Sequence, residues 1–368
     1  GTADSSQSPT TTHIPAPRAI FLFKNRCIGH HTEEQLMATR REFLTTSAGV
    51  AAVLSGGRDG GFATEEHQEA SEKEKRPTLR LHLVGCGYPP PSGSGDRTRH
   101  GSAFLLEVGR ELLMVDCGPG TTYKMARMGI KTTKVNHVFL THHHFDHNVD
   151  FPCFALVRWD LCNGTEPPLK VYGPPPTRSF VEKLLGERGV FFPDWHSRVT
   201  HPVSIKIFEH RRGAPPRPAP AFEARDLGPG KIEETASWTA TAARVHHVEP
   251  TLVSLAYRFD TARGSIVFAG DCGDCSELRE LARGADTLVA PCVLVGSAKS
   301  PSYLDGIIMG TDEVGEIATA AGVGRVVLTH NGSANSAEKR KPFIEAMGKV
   351  FSGEVLFPDE LTTIDLAS

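Results

Sequence analysis

The sequence predicts an α/β sandwich: two strand-rich halves packed face to face, with helices on the outside. Three observations carry that prediction. From Leu79 onward, short apolar runs of strand length recur between turn residues. The runs beyond residue 240 repeat the pattern of those before residue 175, which suits two sheets better than one. Histidines and aspartates fall directly behind several of these runs, and a strand end is a rigid place from which to aim a side chain.

Taken in order, residues 79–84 alternate and break at Gly85-Cys86-Gly87, ahead of the prolines at 89–91. Residues 102–108 and 111–115 read as a hairpin turning at Gly109-Arg110, and Asp116-Cys117-Gly118-Pro119-Gly120 ends it. Residues 121–128 have helical character and stop at Gly129. Strands are expected at 135–140 and 169–172. Residues 211–230, rich in Pro and Gly, read as an inserted loop. In the second half, strands are expected at 241–245, 254–259, 265–269, 287–291 and 326–328. A helix is expected at 312–321, ended by Gly322. No repeat of solenoid length appears.

The chain has 368 residues, of which 39% are hydrophobic and 23% charged, an ordinary globular balance. The net charge of −3 offers no basic excess and points away from nucleic acid. Eight scattered cysteines do not form a disulfide framework in a chain of this size, and Cys272-Gly-Asp-Cys275 is a weak signal alone. Residues 1–77 differ from the rest. They begin rich in Ser, Thr and Pro, and end in a Gly-rich and then Glu/Lys-rich linker that cannot bury a core. Between these, residues 39–55 carry Arg40-Arg41, Phe43 and a small-residue apolar run, resembling a twin-arginine export signal. Met37 is a candidate natural start. Export to the periplasm is the expectation, with a cytoplasmic location as its alternative. No stretch is long enough for stable membrane association, and a homodimer is expected if the N-terminal segment wraps a partner subunit.

The chemistry lies in Thr141-His142-His143-His144-Phe145-Asp146-His147, behind the apolar run Val138-Phe139-Leu140. Imidazole and carboxylate suit zinc, and catalytic zinc sites keep a position open. Further candidates stand near later strand ends: His246 and His247, Asp271, and His330. Each alone is more often an ordinary loop residue. Together with the cluster they have the stoichiometry of two metal sites.

These motifs resemble the metallo-β-lactamase fold superfamily. His142-x-His144-x-Asp146-His147 is similar to its H-x-H-x-D-H motif, and Asp116-Cys-Gly to its Asp-x-Gly turn. His247-Val248-Glu249-Pro250, Gly270-Asp271-Cys272 and Leu328-Thr329-His330 follow in order. The resemblance covers residues ~79–368 and implies a four-layer αβ/βα sandwich with one or two zinc ions at one edge. Site one would be His142, His144 and His247; site two would be Asp146, His147 and His330, with Asp271 bridging. Asp116 would steer a ligand histidine, and Asp146 would orient the attacking hydroxide or move its proton. His143 would point away from the ligands, toward solvent. Zinc lowers the pKa of bound water to about 7, so hydroxide is the implied nucleophile.

Within that superfamily the pattern is most similar to the arylsulfatase-like and tRNA 3′-processing-like branch. That branch carries a histidine before the Thr that opens the penultimate helix, where this chain has Met309-Gly310. Its absence, with the acidic charge, argues for a small apolar aromatic substrate and against nucleic acid. Trp195, Trp238, Phe154, Tyr303 and Met309 are the candidate pocket residues. The leader at 37–44, the HHHFDH cluster and HVEP…SLAYR together resemble hydrolytic dehalogenases that act on chlorothalonil, replacing C–Cl by C–OH. The alternative is hydrolysis of an aryl sulfate, carboxylic ester or phosphodiester by the same hydroxide.

Overall fold

In the computed structural model, the described residues are 78–88, 99–299 and 302–367. The extension at 1–77, with its twin-arginine-like segment, lies outside them. Two seven-stranded mixed sheets form the centre. The first contains β1 (Leu79–Gly85), β2 (Ala103–Val108), β3 (Glu111–Val115), β4 (Val135–Phe139), β5 (Leu169–Gly173), β6 (Phe222–Asp226) and β14 (Thr362–Asp365), in the order β14-β1-β2-β3-β4-β5-β6. The second contains β7 (Gly230–Glu234), β8 (Trp238–Val245), β9 (Ser254–Thr261), β10 (Gly264–Phe268), β11 (Thr287–Pro291), β12 (Arg325–Thr329) and β13 (Glu354–Leu356), in the order β13-β12-β11-β10-β9-β8-β7.

Each sheet is covered on both faces, so its central strands are apolar throughout rather than alternating. β11 is buried at every position. The layer between the sheets includes Leu81, Leu106, Phe139, Trp238, Phe259, Phe268 and Val327. Several of its aromatic rings meet edge to face, as Phe139 does on Phe259 with centroids 4.9 Å apart. Behind the first sheet, helices Phe151–Cys162 and Thr177–Leu185 supply Phe151, Phe154, Val181 and Leu185 to an outer core. Behind the second, helices Ser276–Ala282, Thr311–Ala321 and Ala337–Val350 supply Leu278, Val314, Ile317, Phe343 and Met347. The result is the expected αβ/βα sandwich. Burying each such side chain stabilises it by roughly 1.5–3 kcal/mol.

Local sequence explains the element ends. The β2–β3 hairpin turns through Gly109, whose φ of 60° suits the first central position of a two-residue hairpin loop. Ser336 caps Ala337–Val350 by accepting a hydrogen bond from the backbone N of Lys339. Gly322, at φ 72°, ends Thr311–Ala321.

The Pro-rich stretch at 211–230 is not wholly loop. Its second half contributes β6 to the edge of the first sheet. Two helices just before it, Phe192–Thr200 and Pro202–His210, each open with proline in the first turn. Arg217 pins this insert: it is buried, lies 4.1 Å over the Trp159 ring and donates to Asp160 Oδ1 at 2.7 Å.

Candidate metal centre

All the donor segments leave strands at one edge of the sandwich. β3, β4, β5 and β6 run parallel, as do β10, β11, β12 and β13. β8 is antiparallel to β9, and β9 to β10, so β8 ends at the same edge as β10. Asp116 follows β3, the histidine cluster follows β4, His247 follows β8, Asp271 follows β10 and His330 follows β12. Crevices beyond the carboxyl ends of parallel strands are the usual ligand sites of α/β sheets.

Two groups of donors result. His142, His144 and His247 form the first; Asp146, His147, Asp271 and His330 form the second. Within each, the ligand atoms lie within 4.8 Å of one another. In the second, His147 Nε2 is 3.3 Å from Asp271 Oδ2 and 3.4 Å from His330 Nε2, and Asp146 Oδ2 is 3.3 Å from His330 Nε2. A tetrahedron with arms of about 2.0–2.1 Å has edges of about 3.3–3.4 Å, so the spacing fits a zinc-sized ion. Two carboxylates there also match the charge of a dication. The groups adjoin, with His142 and His147 ring centroids 4.1 Å apart.

The supporting contacts decide which nitrogen of each ring faces the centre. Asp116 Oδ2 accepts from His147 Nδ1 at 2.7 Å, leaving Nε2 turned toward the second group. The backbone carbonyl of Ile307 accepts from His247 Nδ1 at 2.8 Å, again freeing Nε2. Thr141 ties both groups together: its backbone N and Oγ1 donate to Asp116 at 2.8 and 2.9 Å, and Oγ1 lies 3.1 Å from His142 Nδ1. Gly118 is required because a Cβ there would stand 2.1 Å from the Asp146 carbonyl oxygen. Asp116 and His330 hold φ of 60° and 53°, a left-handed conformation that costs energy for non-glycine residues and here re-aims the chain at a strand end.

Charge within the second group is self-compensating. Burial opposes the charge of His147, yet Asp271 and Asp116 hold its imidazole well above the ordinary histidine range. Burial likewise opposes His330, which Asp271 and Asp146 raise to about 9. Burial would raise Asp271, but His330 and His147 keep it well below the usual carboxylate range. The first group behaves oppositely. Burial, then the neighbouring His147, drives His142 well below its ordinary value, and burial and His247 lower His144. Neutral imidazole is the form that binds a metal.

Other expectations fared differently. His246 is exposed while its neighbour His247 joins the first group. His143 does point away, but not into solvent: its Nε2 lies 2.9 Å from Thr177 Oγ1 and 3.2 Å from the Pro174 carbonyl. The candidate pocket residues do not gather at the metal edge. Phe154 is packed behind the first sheet, Trp238 lies between the sheets, and Met309 is fully buried behind the second. Trp195 donates to the Leu185 carbonyl and lines a separate cleft of about 890 Å³. Tyr303 is 72% exposed. Core packing claims large apolar side chains before a ligand can, which is why composition misplaced them. Cys272 and Cys275 are free thiols, and Cys272 is buried.

Sequence reasoning missed Asn331, Thr141 as a hub, and Glu313. Asn331 is fully buried beside His330. It donates to the Cys292 carbonyl at 2.9 Å and accepts from Ser333 and Ala334, fixing the turn that aims the histidine. A polar residue immediately behind a strand-end ligand was the available signal.

A family model described as Beta-lactamase superfamily domain matches residues 112–331. Ribonuclease Z of Mycobacterium avium (strain 104) is 27% identical over 294 residues, covering 78% of this chain and 98% of that protein. Ribonuclease Z of Mycobacterium sp. (strain KMS) is 30% identical over 257 residues, covering 68% and 84%. Among solved structures, the metallo-beta-lactamase fold protein YhfI from Bacillus subtilis aligns at a TM-score of 0.58 and 20% identity, over 79% of this chain and 100% of that one. The short form of human tRNase Z aligns at 0.54 and 19%, over 78% and 99%. The ribonuclease relatives overturn the expectation that nucleic acid is excluded. Net charge averages over the whole chain and does not report on one edge of a sandwich.

Proposed function

We propose that this chain, which belongs to the beta-lactamase superfamily, is a zinc-dependent hydrolase acting on a phosphodiester. The observation that carries this reading is the pair of adjoining donor groups, one of three imidazoles and one of two imidazoles and two carboxylates. The name shared by the ribonuclease Z relatives supports the substrate class. When bound, zinc supplies Lewis acidity toward the scissile bond and makes water acidic enough to attack near neutral pH.

The chain's own residues supply orientation and proton handling. Asp116 and Ile307 set the tautomers of His147 and His247. Asp146 Oδ2, at 3.3 Å from His330 Nε2, faces the second group and is placed to orient the attacking water and take its proton. Asp271 Oδ2 lies 2.9 Å from His330 Nε2 and carries the compensating charge.

One observation favours a second reading, hydrolytic dehalogenation of an electron-poor chlorinated arene such as chlorothalonil. Met309, standing where the similar branch carries a histidine, is buried and has no proton to give a leaving group. An alkoxide leaving from RNA gains from a general acid. Chloride leaves without one: C–OH replaces C–Cl, and one chloride and one proton are released. The test is a zinc-loaded preparation assayed on an aryl phosphodiester, an RNA with a 3′ extension, and chlorothalonil. Phosphodiester cleavage with no chloride release supports the first reading. Chloride release with no phosphodiester cleavage replaces it with the second.

A further inference from the structure

We propose that Glu313 is a positioning residue for His247, acting through the neck of the loop between Cys292 and Gly310. The inference rests on the reading of the three-histidine group as a metal site.

Glu313 is buried in the first turn of the helix Thr311–Ala321, far from the donor atoms in sequence. Its carboxylate accepts from the backbone N of Ala298 at 3.0 Å, from the backbone N of Gly310 at 2.9 Å and from the Ser297 hydroxyl. Ser297 and Ala298 belong to the arm entering the loop, and Gly310 to the arm leaving it. One carboxylate therefore closes both arms. Val293 N donates to the Met309 carbonyl at 3.1 Å and Gly296 N to Thr311 Oγ1 at 2.8 Å, so the neck is tied on either side of Glu313. The arms are too close for side chains: a Cβ on Gly310 would lie 2.0 Å from the Gly296 carbonyl oxygen.

The loop thus closed delivers one functional atom. Ile307, three residues before Gly310, accepts from His247 Nδ1 at 2.8 Å and leaves Nε2 for the first group. The same stretch rests on the strand-end segment of the second group, since a Cβ on Gly273 would lie 2.2 Å from the Gly306 carbonyl carbon. Gly273 in turn donates its N–H to the His246 carbonyl at 2.9 Å. The Ile307 carbonyl is therefore held from two sides, by Glu313 through the neck and by Gly273 through packing. Losing the carboxylate removes its three hydrogen bonds from the neck, leaves the Val293–Met309 and Gly296–Thr311 ties, and loosens the acceptor that selects the His247 tautomer.

Zinc titration of the metal-free full chain, followed by competition with a chromophoric chelator, tests this for wild type, E313A, E313Q and H247N. The expectation is two zinc ions per wild-type chain. In E313A one affinity falls about 10–100-fold, the usual cost of losing such support, and the other is unchanged. H247N should weaken the same ion, and E313Q should fall between E313A and wild type. Cobalt substitution adds a spectroscopic readout, because E313A should lose only the absorption contributed by the first group. Two affinities equal to wild type in E313A would overturn the proposal, as would equal losses at both, which mark a merely structural role. A wild-type chain that binds a single ion, at an affinity that H247N leaves unchanged, would instead overturn the reading of the first group as a site.

Discussion

Asp116 Oδ2 stands 2.7 Å from His147 Nδ1, joining the end of β3 to the far end of the histidine cluster through one buried hydrogen bond. The same carboxylate accepts from Thr141, so a single side chain orients both the loop and the ring. Replacing Asp116 by Asn keeps the shape and removes the charge. Zinc affinity at the second group should drop about 10–100-fold. Equilibrium dialysis with metal analysis measures this, and an unchanged affinity refutes the role assigned to Asp116.

Removing the metal should abolish hydrolysis and lower thermal stability together. An ion that binds only the folded chain stabilises it by about 2.7 kcal/mol at a free concentration 100 times Kd. Chelation followed by calorimetry should therefore show a clear fall in Tm, reversed by added zinc. Activity that survives exhaustive chelation is incompatible with the proposed chemistry.

His137 sits away from the donor groups, edge-on to Trp238 with ring centroids 5.1 Å apart. Burial, with Lys170 nearby, pushes its imidazole below the ordinary 6.5. The folded chain therefore resists protonation there, while the unfolded chain takes up a proton near pH 6.5. His137 contributes stability above that pH, and the contribution is lost as pH falls from about 6.5 through the folded value. Urea unfolding of the zinc-loaded chain between pH 7.5 and 5 should show H137Q losing less stability than wild type. Equal slopes for the two proteins would remove His137 as a source of the acid sensitivity.

Met309 is buried with Val314, Val245 and their neighbours behind the second sheet. Met309→Ala leaves a cavity and should cost about 2–5 kcal/mol of unfolding free energy. Because the side chain is fully buried in that core, KM should stay near wild type. A large KM change with little loss of stability would return Met309 to the substrate pocket.

How much of this was legible in the sequence follows from what each residue's role depends on. The strands were readable because an apolar run is a local signal, and the candidate donors stood out as the histidines and aspartates behind such runs, while their division into two sites came from the motif resemblance. The choice of His247 over His246 came from motif similarity, and the geometry explains it, since His247 reaches the Ile307 carbonyl. Glu313 was not readable, because its partners lie in a loop whose position depends on the whole sandwich, and Asn331 left a single signal, its place immediately behind a strand-end donor. The pocket aromatics failed for a related reason. Trp238 and Phe154 are as apolar as any substrate-binding residue, and only the packing of two sheets and their helices shows that they are already occupied. The short helices at 192–210 were obscured by prolines that in fact open them.

The donors of the second group come from both sheets. Asp146 and His147 follow β4, while Asp271 and His330 follow β10 and β12. The sheets also meet there directly: the Tyr257 hydroxyl donates to the Leu140 carbonyl at 2.7 Å, and Leu255 N donates to the Thr141 carbonyl at 2.9 Å. An ion seated among the four donors is thus a cross-link between segments nearly two hundred residues apart. Neither half of the chain alone can assemble it, so metal capture is a report that both halves have folded and docked. A chain stalled with one sheet formed would present only two of the four donors of this group, which stays incomplete until the sandwich closes.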